Sequence, residues 1–184
     1  MTALHRTPGA AVNEALHIRR LSEADAERFA ALRRAVTTDN PIPMGLSLEE
    51  ELARPIEGFR AQLAYPEPNA AFGAFLQDEL LGCAAVAWPS KLPSSRHKTN
   101  LWGVFVAPGA RGRGIGRTLV QHALAHAFGH GVRRVNLLVY LPNEPAVCLY
   151  RSLGFEPCGR EPEAVRLAGV YHDGLHMSLA NHAA

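Results

Sequence analysis

Cysteine is scarce in this 184-residue chain: three residues, Cys83, Cys148 and Cys158, no two of them spaced as CxxC. An odd, scattered set argues against a disulfide framework and against a cysteine-rich zinc site, and fits free thiols in a reducing compartment. Long hydrophobic runs are missing too. No stretch approaches the ~18 apolar residues of a membrane span, and the first fifteen residues, MTALHRTPGAAVNEA, hold a single Arg and no apolar run of signal-peptide length. Charge of one sign is equally short: 19 Lys and Arg against 17 Asp and Glu leave a net charge of +2. That excess is too small to mark a nucleic-acid or membrane surface. The expectation is a cytoplasmic protein whose partner is a small molecule, with no nucleic acid and no membrane.

What is present is ordinary for a globular protein, 47% hydrophobic and 20% charged residues. The length suits one domain with its own core. Residues 1–13 read as a loose arm around Pro8 and Gly9. A strand-like pattern over Glu14–Leu21 leads to Ser22, which with Asp25 three residues on opens a helix carrying Phe29, Leu32 and Val36 at helical spacing. Asn40-Pro41 and Pro43 break the chain before a second capping pattern, Ser47-Leu48-Glu49-Glu50. That helix extends toward Tyr65 with Leu48, Leu52, Ile56 and Phe59 on one face, and Pro55 should kink or divide it. Two apolar runs, Ala70–Leu76 and Leu80–Trp88, flank Gln77-Asp78-Glu79 as a hairpin. Further on, the patterns predict a strand over Asn100–Val106 and a helix to about Phe128, stopped by Gly129 and Gly131. A strand at Arg134–Leu141, a helix at Glu144–Ser152, a strand at Phe155–Arg160 and a final strand within Val170–Leu179 complete a single α/β unit without internal repeats.

Chemistry concentrates in Leu101–Phe128, where a strand runs into Arg111-Gly112-Arg113-Gly114-Ile115-Gly116 and a helix follows at once. Glycines allow a sharp turn and close approach of backbone N–H groups to an anion. The helix N-terminus adds unpaired donors and the positive end of a dipole, so the turn suits a phosphate or pyrophosphate, with Arg111 and Arg113 adding charge at its rim. The Lys-Ser/Thr ending of a P-loop is missing. The dinucleotide fingerprint is missing as well, because the third glycine of Gly112-x-Gly114-x-Gly116 comes one residue early. A tight turn with solvated arginines remains the bland alternative.

Arg111-x-x-Gly114-x-Gly116 after Val104-Phe105-Val106-Ala107-Pro108 closely resembles the acetyl-coenzyme A loop of the GNAT N-acyltransferase superfamily. The segment Asn143-Glu144-Pro145-Ala146-Val147-Cys148-Leu149-Tyr150-Arg151-Ser152-Leu153-Gly154-Phe155 is similar to the same family's second signature, an Asn before a short helix with a Tyr seven residues on, then Gly-Phe. The match covers about residues 99–158. It implies an α/β (α+β) GNAT fold: a central mixed, mostly antiparallel twisted sheet of six to seven strands flanked by about four helices, the strands splayed at the acetyl-CoA site. Residues 14–184 would then be one N-acetyltransferase domain behind the 1–13 arm.

The resemblance also implies roles. Backbone groups of Val104, Phe105 and Val106 would bond the pantetheine arm, and N–H groups from Arg111 through Gly112, Arg113, Gly114 and Ile115 to Gly116 would cradle the pyrophosphate. The Asn143 side chain would meet the pantetheine, and Tyr150 would protonate the departing thiolate. A thiol has pKa ~8.5 and a phenol ~10, so a Tyr hydrogen bond suits that charge. The cosubstrate would be acetyl-CoA, with no metal, and the reaction direct transfer to a primary amine that must first lose a proton. Backbone N–H groups near Val106 would polarise the thioester carbonyl. Ribosomal-protein N-terminal acetyltransferases usually carry a Glu in the strand before the Asn, where this chain has Leu138, which favours a small-molecule amine over a protein N-terminus.

Candidates for the base are His97, Tyr140, His172 and Asp173. His172 and His176 would share a face of the last strand, but lack a third clear ligand for a metal. His122, His126 and His130 read as a solvated face. Trp102 and Phe105 should alternate to opposite sides of their strand, so that at most one meets the acceptor, and Cys148 reads as helix packing. Glu49, Glu50, Glu51 and Glu57 would either attract a cationic amine or simply complement a helix dipole. A homodimer is common in such a family. Two other classes stay open: an acyl-CoA-binding sensor without turnover, and a nucleotide- or phosphate-binding domain unrelated to acetyl transfer.

Overall fold

A computed structural model of the chain describes residues 16–181; the arm expected over residues 1–13 lies outside the described residues. Seven strands form one sheet: β1 (His17–Arg20), β2 (Ala70–Leu76), β3 (Glu79–Ala87), β4 (Lys98–Val106), β5 (Arg134–Tyr140), β6 (Glu156–Leu167) and β7 (Val170–Ala180). Their order is β1-β2-β3-β4-β5-β7-β6. Every neighbouring pair is antiparallel except β4 and β5. Five helices flank it: α1 (Ala26–Asp39), α2 (Leu48–Ala53), α3 (Ile56–Leu63), α4 (Ile115–Gly129) and α5 (Glu144–Ser152).

The local signals explain most of these elements. Ser47 and Glu50 form the reciprocal cap of α2, with the Glu50 N–H donating to Ser47 Oγ at 3.1 Å and the Ser47 N–H to Glu50 Oε2 at 2.6 Å. Pro55 divides the expected long helix into α2 and α3, because the residue before proline is pushed out of the helical region, and Arg54 sits at φ −71°, ψ 122°. That break resets the helical phase. Leu52, expected beside Ile56 and Phe59, is instead 56% exposed. The strand expected at Phe155–Arg160 runs to Leu167 as β6. It is an edge strand whose residues Glu156–Glu163 are all exposed, so no apolar alternation announced it.

Two cores lie on the two faces of the sheet. On one face α4 buries Ile115, Leu119, Val120, Ala123, Leu124 and Ala127, joined by Val147 and Tyr150 of α5. On the other, α1 and α3 bury Phe29, Leu32, Val36, Phe59 and Leu63 over Phe75, Cys83 and Phe105. Each such side chain contributes roughly 1.5–3 kcal/mol by leaving water. Strand β4 separates the cores, and it is irregular. Cys83 pairs with Phe105 and Ala85 with Trp102, so β4 spends one residue more than β3 over the same span. Gly103 absorbs the extra residue at φ +59°, a left-handed conformation that glycine takes without strain. The bulge inverts the alternation. Trp102 and Phe105, expected on opposite sides, both pack against the α1–α3 core, while Leu101, Val104 and Val106 face α4.

Candidate active site

Strands β4 and β5 pair only at Lys98–Arg134, Thr99–Val135 and Asn100–Asn136. Beyond Asn100 the bulged β4 stays with β3 while β5 stays with β7 through Tyr140. The strands therefore diverge, and a cleft opens between them.

One mouth of the cleft is a cavity of ≈ 560 Å³. Nine of the ten residues expected to hold the cosubstrate line it: Val104, Phe105, Val106, Arg111, Gly112, Gly114, Ile115, Gly116 and Asn143; Tyr150 lines it too, and Arg113 does not. The turn owes its shape to Gly112 at φ +75° and Gly114 at φ +77°. A Cβ at either position would meet nothing within 4 Å, so the requirement for glycine there is conformational. Gly116 is different. Its φ is ordinary and an added Cβ would stand 3.6 Å from Leu149 and Val106, a normal contact. The protein itself does not need glycine at 116, which fits a cradle kept open for a ligand. Gly114 caps α4, its carbonyl accepting from the Thr118 N–H at 3.1 Å. The N–H groups of Ile115, Gly116 and Arg117 precede any intrahelical acceptor and belong to cavity residues. Pyrophosphate chemistry fits this turn. Arg111 is less free than its sequence suggests: Nε donates to the Val106 carbonyl at 3.2 Å and Nη1 to Asp39 at 2.6 Å. It ties the turn to the end of α1.

Asn143 begins α5, and its Oδ1 accepts from the Ala146 N–H at 3.3 Å. The cap occupies the carbonyl, and the residue lines the cavity. Tyr150, two turns on, is 7% exposed and stacks edge-on against Phe155. Burial pushes its phenol above the ordinary value, so it stays protonated and able to donate.

The other mouth is a cavity of ≈ 490 Å³. It shares Pro43, Val104, Phe105, Asn143, Ala146 and Tyr150 with the first, so Tyr150 stands in the wall common to both. Its remaining lining comes from Arg33 of α1, Met44, the bulged part of β4, Asn136–Tyr140 of β5 and His176 of β7. Trp102 and Phe105 both reach it, a consequence of the bulge. Leu138 lines it as well, opposite His176 in the β5–β7 register.

Of the four base candidates, only Tyr140 lies in this cavity. His97 is exposed at the start of β4, where its carbonyl accepts from the Arg133 and Arg134 N–H groups. His172 pairs through Nδ1 with the Leu141 carbonyl at 3.0 Å. Asp173 accepts from the Glu163 N–H and from Arg160, which hold its carboxyl below the usual range. His176 pairs with Glu161 Oε2 at 2.9 Å, so the two histidines of β7 turn to different partners. No group of three or more His, Cys, Asp or Glu among the described residues is placed to hold a metal.

His122 and His130 are exposed, as expected of a solvated face, whereas His126 is half-buried, lies edge-on to Phe72 and bonds the Pro68 carbonyl at 2.8 Å. Cys148, read as packing, is exposed on the helix side away from Tyr150. Buried Cys83 has its thiol pushed up to about 12 by desolvation and is no nucleophile. None of Glu49, Glu50, Glu51 and Glu57 lines either cavity. Arg33 and His176 were missed as site residues. Arg33 did leave a signal, since it lies four positions after Phe29 on the apolar stripe of α1, where a charge is out of place.

The family model described as "Acetyltransferase (GNAT) family" matches residues 30–155. The chain is 33% identical over 158 residues to the N-alpha-acetyltransferase RimI of Mycobacterium tuberculosis, covering 85% of this chain and 89% of that one. It is also 33% identical over 164 residues to an uncharacterized protein of Mycobacterium leprae, covering 89% of this chain but only 41% of that longer one. Among solved structures, a GNAT-family acetyltransferase of Streptococcus pneumoniae superposes with a TM-score of 0.80 at 23% identity, over 91% of this chain and 100% of that one. An acetyltransferase of Salmonella typhimurium, solved with its cofactor acetyl-CoA, gives 0.73 at 19% identity over 92% and 97%.

Proposed function

Because the chain belongs to the GNAT acetyltransferase family, we propose that it moves an acetyl group from acetyl-CoA to the primary amine of a small molecule by direct attack, with Tyr150 protonating the departing thiolate. The observation that carries this reading is the position of Tyr150 in the wall common to both cavities, its phenol protonated and its hydroxyl without a hydrogen bond to another described residue. Acetyl-CoA supplies the thioester and its acetyl group. The chain supplies the rest. The Gly112–Gly116 backbone receives the pyrophosphate, and the edge of β4 that diverges from β5 at Val104, Phe105 and Val106 offers its backbone to the pantetheine arm. Asn143 adds its amide NH2. The acceptor amine comes from the opposite mouth and sheds a proton before attack. Tyr140 and His176 are the titratable groups there able to accept it, directly or through water.

A protein N-terminus is the second reading, favoured by the likeness to the RimI enzyme. Leu138 speaks against it, standing in the acceptor cavity at the place where such enzymes carry a Glu.

Thermal unfolding with acetyl-CoA, CoA, ATP and NAD tests the donor. At 100 times its dissociation constant a ligand adds ~2.7 kcal/mol to the native state, about 5–10 °C for a domain of this size. A shift with acetyl-CoA and CoA alone, followed by thiol release with an amine, supports the proposal. A shift with ATP or NAD instead overturns it, and binding without thiol release over a broad amine and peptide panel favours a sensor.

A further inference from the structure

The acceptor-side cavity contains one buried charge that the acetyl-transfer chemistry does not use. Arg33 lines it and pairs with Glu51, which does not, their side chains 7% and 1% exposed. Nε and Nη2 of Arg33 donate to the two Glu51 oxygens at 2.8 and 2.7 Å, which uses one edge of the guanidinium. The Nη1 edge has no acceptor among the described residues, and Arg33 lines the cavity. Phe29, Phe59 and Phe105 surround the guanidinium, with ring centroids 5.7, 5.9 and 5.8 Å from its central carbon. Held by Glu51 on one edge and by three rings around it, the group cannot swing away. It is a fixed donor with its free edge toward the cleft.

Packing does not explain this arrangement. Withdrawing two charges from water costs several kcal/mol per ion, and apolar side chains of similar volume often serve as well or better. A rigid, always-charged fork does suit one task, recognition of a carboxylate. The rest of the cavity agrees. None of its lining residues is Asp or Glu, and its only other cationic candidate is His176. The four glutamates of a charge suited to a polycation are elsewhere: Glu50 caps α2, Glu49 and Glu57 face solvent, and Glu51 is bonded to Arg33 outside the lining.

We propose that Arg33 is the carboxylate receptor of the acceptor site, so that the acceptor is an amine bearing a carboxylate close to its nitrogen, of the amino-acid kind, and not a polyamine. Glu51 is its positioning residue. This inference rests on the acetyl-transfer reading of the same cleft.

The test uses L-amino acids, each paired with the amine that lacks its carboxylate, plus spermidine. Binding to the CoA-saturated protein is measured by calorimetry, and turnover by thiol release from acetyl-CoA. Charge-assisted hydrogen bonds of this kind are worth about 10–100-fold in affinity. At least one pair should differ by that much in favour of the carboxylate, and the preference should vanish in Arg33→Met/Glu51→Leu, whose fold is checked by its retained acetyl-CoA thermal shift. If that variant does not fold, Arg33→Lys should reduce the preference. Pairs that bind alike in the unaltered protein, tightest binding of spermidine, or a preference that survives the double variant would each overturn the inference. Equal turnover of both members of every pair sinks the carboxylate receptor and leaves acetyl transfer standing. Carboxylate-selective binding without thiol release from any amine does the reverse.

Discussion

On the α4 side of the cleft between β4 and β5 much of the wall comes from one segment, Val104–Arg117 with its glycine turn, beside the end of α1 and the first turns of α5. On the α1 side it is a mosaic of side chains: Arg33, Met44, Trp102, Tyr140 and His176 come from five separate parts of the chain. On the proposed reading the first side would hold acetyl-CoA through peptide groups, which every residue carries, so its sequence is constrained only where the backbone must bend or a side chain must be missing. The second would hold the acceptor through the chemistry of its side chains, and these can change without disturbing the sheet.

The comparison can be broken most sharply at the wall the two sides share. Tyr150→Phe should lower kcat by ~10²–10⁴-fold while leaving the acetyl-CoA thermal shift intact; loss of binding with kcat unchanged would place Tyr150 on the donor side alone. Since burial raises the phenol above its ordinary value of about 10, its deprotonation should produce no fall in rate below that pH.

Next in size is the acceptor side. Glu51→Leu leaves the Arg33 charge buried and unpaired, and chemical denaturation should show a loss of ~3–5 kcal/mol. Arg33→Met in the same chain should restore most of it. Full stability in Glu51→Leu alone would mean that the pair is neither buried nor needed.

The donor side is then sharpened by two glycines with opposite expectations. Gly114→Val forces a β-branched residue to φ +77°, costing ~1–3 kcal/mol in stability and weakening acetyl-CoA binding. Gly116→Ala should leave stability unchanged or raise it by up to ~1 kcal/mol, yet still weaken acetyl-CoA binding, because only the ligand is crowded. Unchanged affinity in Gly116→Ala would remove the cradle from the donor side.

The smallest effect lies away from the cleft, at the start of α1. The Arg19 guanidinium, with help from Ser22, holds the Asp25 carboxyl at about 2, below its ordinary 3.8. A depressed carboxyl stabilises the fold above 3.8 and loses that contribution as pH falls toward 2. With Arg19 42% exposed, solvent screening limits it to about 1–2 kcal/mol. Asp25→Asn should therefore cost that amount at pH 7, with the gap from the unaltered protein narrowing below pH 3.8 and closing only as pH falls through 2 in urea titrations.

Much of the molecule was legible residue by residue. Capping at Ser47, division at Pro55, the hairpin across Gln77-Asp78 and the helical spacing of Ile115, Leu119 and Ala123 are local signals, and local structure answered them. The phase of β4 was not legible. A strand read in twos places Trp102 and Phe105 apart, and nothing beside Gly103 announces that an extra residue will be absorbed there. The length of β6 was hidden because an edge strand with a solvated face has no reason to alternate.

By itself the sequence determined the half proposed to take the donor: which family's turn it carries, where its glycines must lie and which tyrosine follows. Those features depend on neighbours a few residues away, and backbone conformation is fixed at that range. Only the tertiary structure decided the acceptor half. The bulge at Gly103, the divergence of β5 and the meeting of Arg33 with Glu51 need contacts between segments distant along the chain. No local spacing encodes them, because what holds each residue there is a partner that the chain reaches only after it has folded.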